Sequence, residues 1–120
     1  MRNRSIAGVL GELQEESHIP MVGFVEELRR RPWATTLKYD LSMLRLWISR
    51  EDAHDVEVMI IYDDGRKGGK PLEPYVDAFE MALFAGRDVS EVFTGTSFET
   101  IERLRAWLQQ KSREVPNEWT

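Results

Sequence analysis

Residues 56–64 read VEVMIIYDD, and how this run is assigned sets the architecture of the whole chain. Val56, Val58, Ile60 and Tyr62 fall on one face of a pleated strand, and Glu57, Met59, Ile61 and Asp63 fall on the other. Both faces carry large apolar side chains. A strand with one wet face would alternate apolar and polar residues, so Met59 and Ile61 call for cover on the second side, from a helix or from another chain.

Upstream of this run the apolar period is already 2. Trp33, Thr35, Leu37, Tyr39 and Leu41 alternate with Ala34, Thr36, Lys38 and Asp40, and after a reversal near Asp40–Ser42 the residues Leu44, Leu46 and Ile48 alternate with Met43, Arg45, Trp47 and Ser49. Strands are therefore expected at about 33–41, 43–50 and 56–63. Their links are too short for a crossover, which leaves an antiparallel meander.

The flanks read as helices. Ile6, Val9, Leu10 and Leu13 have i, i+3, i+4, i+7 spacing behind a possible cap at Asn3 or Ser5, although Gly8 and Gly11 weaken the segment. Met21, Phe24, Val25 and Leu28 repeat that spacing from Pro20 to the basic run Arg29–Arg31, with Pro32 as the stop. After the loop RKGGKPLEP a third helix is expected from about Pro74 to Ala85, apolar almost all round, with Gly86 closing it. Asp88 and Glu91 suggest a short capped turn, and Thr96 with Glu99 opens a last helix from Ser97 to about Ser112. The expectation is one α+β domain over residues 1–120: a three-stranded antiparallel meander packed by two N-terminal and two C-terminal helices.

At 120 residues, 42% apolar and 31% charged, the composition is that of a folded domain. A net charge of −5 opposes long-range attraction to nucleic acid or an anionic membrane, and mildly favours a basic partner. The chain has no cysteine, which removes disulfides, thiolate nucleophiles and Cys-based zinc sites and suits a reducing compartment. No run is long and apolar enough for a membrane span, and the first residues turn acidic before a secretory core develops, so a cytoplasmic location is expected.

Motifs for chemistry are weak. Gly65 to Lys70 is one residue short of a phosphate-binding loop, and Pro71 stands where a magnesium-binding hydroxyl belongs. His54, beside Asp52 and Asp55, reads as a surface residue of a turn, and the carboxylates Asp63, Asp64 and Glu73 fit an Asp-Asp-Gly turn as well as acid–base work. The chain has no Gly-x-Ser-x-Gly elbow. No catalytic residue, metal ligand or cofactor is assigned, and the protein is expected not to be an enzyme.

What exceeds the ordinary is apolar surface. Trp47, Met59 and Ile61 would share one sheet face with Arg45 at its margin, and Met81 and Phe84 would add a second strip, a composition typical of interface centres. These six residues are the candidate interface of a homodimer or of a complex with a protein partner. An alternative is a small-ligand-binding or enzymatic pocket between the sheet and the third helix, lined by Tyr39, Tyr62, Asp63 and Tyr75. In composition the chain is similar to small acidic accessory proteins of bacteria, including inhibitors and immunity proteins that neutralise a basic toxin. Residues 5–31 loosely resemble a helix-turn-helix, which implies DNA binding through Arg29, Arg30 and Arg31; the outward Glu26 and Glu27 argue against it.

Overall fold

The computed structural model describes residues 4–63, 66–67, 70–71 and 78–111. Helices α1 (Ile6–Glu15) and α2 (Ile19–Arg29) lead through a 3-10 helix (Pro32–Thr36) into strands β1 (Leu37–Ser42), β2 (Arg45–Arg50) and β3 (Val58–Asp63). A small ladder, β4 (Arg66–Lys67) with β5 (Lys70–Pro71), precedes β6 (Ala78–Ala85), β7 (Asp88–Gly95) and helix α3 (Ser97–Lys111). The main sheet is antiparallel, with strand order β1-β2-β3-β6-β7.

The α+β class and the antiparallel meander stand, but the described residues form a five-stranded main sheet with three α-helices rather than three strands with four helices. The segment expected to be a helix ending at Ala85 forms β6 from Ala78 onward, and the turn expected at Asp88 is the start of β7. The physical reason lies in the environment of β3. It needs a hydrogen-bonding partner on its free edge, and β6 supplies one along the whole strand, from Val58 opposite Leu83 to Asp63 opposite Ala78. Phe79, Met81 and Leu83 then alternate into the core, and this long-range pairing overrides the helical propensity of Ala, Met, Leu and Glu. Gly86, read as a helix terminator, has φ +65° and makes the two-residue turn to β7; a glycine at that position suits either role.

The first expected strand also begins later than its alternation suggests. Thr35 and Thr36 donate their hydroxyls to the Pro32 and Trp33 carbonyls at 2.9 and 2.8 Å, which closes a 3-10 turn where the ladder would have started. The helix caps follow the sequence. Ser5 Oγ accepts from the Gly8 N–H at 3.1 Å to open α1. Thr96 and Glu99 form a reciprocal capping box on α3: the Thr96 N–H donates to Glu99 at 3.0 Å and the Glu99 N–H to the Thr96 hydroxyl at 3.3 Å. His18 caps α2, its Nδ1 accepting from the Met21 N–H at 3.2 Å.

The three described helices lie on one side of the sheet. Ile6, Val9, Leu10 and Leu13 of α1, Met21, Phe24, Val25 and Leu28 of α2, and Ile101, Leu104, Trp107 and Leu108 of α3 form one core with the inward residues of the strands. Those strand residues are Leu37, Tyr39, Leu46, Ile48, Val58, Ile60, Phe79, Met81 and Leu83, a single pleat face of the sheet. No described helix is long and apolar enough to cross a membrane.

Candidate functional site

The pleat places the remaining strand residues on the opposite face, and strand pairing sets them in rows. One row runs Asp40, Trp47, Met59, Ala82, Val92 across β1, β2, β3, β6 and β7. The next, toward the β1–β2 turn, contains Ser42 and Arg45 on the first two strands and Ile61, Glu80 and Thr94 on the last three. In the other direction Lys38 pairs with Ser49, and Phe84 with Val89. The centre of this face is thus an apolar stripe of Trp47, Met59, Ile61, Ala82, Phe84, Val89 and Val92, with charges toward its margins.

Trp47, Met59, Ile61 and Phe84 are half-buried, whereas Val89 and Val92 are 54% and 56% exposed. None of the six belongs to the helix-side core or to the half-buried residues packed against it, which are Val22, Leu41, Leu44, Tyr62 and Phe93. At one end of this face the β2–β3 connection approaches it. There Lys38 Nζ donates to the Ala53 carbonyl at 2.8 Å, and Ser49 is buried beneath. Arg45 is exposed.

Met81 does not share this face. In a strand it points opposite to Ala82 and is fully buried among the helices, so the second strip read from a helical arrangement does not form; Phe84 alone joins the open side. Ala82, Val89 and Val92 were missed because they were read on a helix and a turn. The sequence signal that would have found them is the β-branched run of Val89, Val92 and Thr94 after a Gly-X turn.

Of the ligand-pocket candidates, Tyr39, Tyr62 and Asp63 lie within the described residues. Tyr39 is fully buried in the core, and its hydroxyl donates to the Ala34 carbonyl at 2.6 Å. Tyr62 stands edge-on to His18, with ring centres 5.7 Å apart, and tilts against Phe79. Asp63 is half-buried at the end of β3, opposite Ala78. Tyr75, Asp64 and Glu73 lie outside the described residues, and so does most of the glycine-rich loop.

A polar concavity of about 300 Å³ lies where the β2–β3 connection meets the end of α3. Its floor is Glu57, 5% exposed, which accepts from Arg50 Nε at 3.0 Å and from the Arg50 backbone N–H at 2.8 Å, with Lys111 Nζ 3.9 Å away. The Glu57 hydrogen bond is the first cause holding the Arg50 guanidinium above its usual pKa. Arg50 also donates to the Lys111 carbonyl at 3.0 Å, which ties the network to the C-terminal end of α3. These bonds are internal and structural. His54, Asp52 and Asp55 are exposed beside them, and among the described residues no group of three or more His, Asp or Glu is placed to hold a metal ion.

In the region that resembles a helix-turn-helix, the apolar face of α2 is committed to the core. Arg31 donates to Glu102 of α3 at 2.9 Å and stands 5.6 Å from the Phe98 ring centre. Comparison with protein-family models, with curated proteins and with solved structures finds no match.

Proposed function

We propose that this protein is a non-catalytic interaction module, working in the cytoplasm, whose binding surface is the sheet face opposite its described helices. One observation carries the reading. The Trp47, Met59, Ala82, Val92 row lies on the side away from the three described helices, continued by Ile61, Phe84 and Val89. Large apolar side chains on this sheet face cost solubility and gain nothing in the helix-side core, so their value lies in being covered by a partner. Trp and Met in the middle with Arg45 at the edge match the composition of interface centres.

Native mass spectrometry of the tagged protein recovered from its own cells tests this, with wild type and M59K run together. Wild type is expected at a mass above that of one chain, and M59K at the single-chain mass with an unchanged circular dichroism spectrum. Wild type recovered as the bare chain contradicts the reading.

A further inference from the structure

We infer that the occupant of the open face is a second copy of this chain, packed sheet to sheet about a two-fold axis that runs along β3. The inference rests on the reading of this face as a binding surface and adds the partner and its geometry. β3 is the central strand of five, so such an axis places β2 of one protomer over β6 of its partner, row against matching row.

That superposition is complementary in two respects. The Trp47 row contains Ala82, so the largest side chain of the face meets one of the smallest, as interdigitating sheet faces require. Two steps along the strands, Arg45 on β2 meets Glu80 on β6. Within one chain these two are separated by β3 and its Ile61, roughly 9.6 Å of backbone at about 4.8 Å per strand. Between chains they form two symmetry-related pairs flanking an apolar centre of Met59 and Ile61.

The competing two-fold axis, across the strands, fails the same comparison. It would set Glu80 over Phe84 and Arg45 over Ser49, leaving both charges without a counter-charge. A face of five strands about 4.8 Å apart and about seven residues at 3.3 Å measures roughly 24 by 23 Å, or about 1,100 Å² for two copies, close to the lower bound of specific pairs. A net charge of −5 per chain disfavours random association, so the pairing depends on the local match of Arg45 to Glu80.

Because the chain has two such pairs by symmetry, charge exchange gives a test that misfolding cannot imitate. In R45E two copies oppose like charges twice, and in E80R they do so again with the other sign. An equimolar mixture of the two variants restores both attractive pairs in the heterodimer. Sedimentation velocity is expected to show a wild-type dimer, dimerisation weakened about tenfold or more in each variant alone, and a mixture within about threefold of wild type. A wild-type monomer at about 100 μM, a dimer indifferent to both variants, or a mixture as weak as its components overturns the inference. A wild-type monomer here, together with a heavier species lost in M59K when the protein is recovered from cells, would retain the binding face and assign it to a different protein. Failure of both would remove the face itself.

Discussion

Met43 and Leu44 make the two-residue turn between β1 and β2 with φ of +52° and +61°, a region that β-carbon-bearing residues occupy at a cost. Leu44 is compensated by packing against the core, but Met43 is 89% exposed and receives no such return. M43N, which supplies a residue at ease in that turn, is therefore expected to raise stability by about 0.5–1 kcal/mol in urea titration. Tyr39 poses the opposite case: burial pushes its phenol far above the usual tyrosine range. The unfolded chain ionises this group near pH ~10 while the folded one holds its proton, so the contribution to stability is complete below that pH and falls as pH rises beyond it, by up to about 1.4 kcal/mol per unit. Y39F should cost about 1 kcal/mol at neutral pH through the lost bond to Ala34, and thermal melts above pH ~10 should decline less steeply than those of wild type.

Among the elements, the helices show how much of the fold could be read from residue spacing. The apolar positions of α1, α2 and α3 are buried as their periodicity requires, and Ser5, Thr96 and Glu99 cap as their types suggest. The strand β6 could not be read that way, because Ala78, Ala82 and Phe84 are apolar on its outer face and mask the alternation of Phe79, Met81 and Leu83. What decides its conformation is the unpaired edge of β3, a partner distant in sequence. The helices also retain a local defect. Gly11 in α1 and Gly23 in α2 have no heavy atom within 4 Å of where a β-carbon would sit. G11A and G23A are expected to stabilise by about 0.5–1 kcal/mol each, additively, as measured by the shift in denaturation midpoint.

Across the whole molecule, the helices leave one sheet face uncovered by any other described helix, and that asymmetry is what the account of function is built on. It was partly legible beforehand, since Met59 and Ile61 already implied cover on the second side of β3, and the pairing of Trp47 with Met59 follows from the turn. The extent of the face was not legible. It depended on β6 and β7 joining the sheet, which brought in Ala82, Val89 and Val92 and moved Met81 into the core. Of the candidate pocket residues, Tyr39 belongs to the helix-side core and Tyr62 packs against it.

The most direct measurement is the melting temperature of wild type and W47R over a hundredfold range of protein concentration. Assembly through this face predicts a wild-type value that climbs with concentration, and a W47R value that stays at the dilute limit of wild type. Two flat curves with W47R melting several degrees lower would contradict it, since Trp47 would then be holding the monomer together.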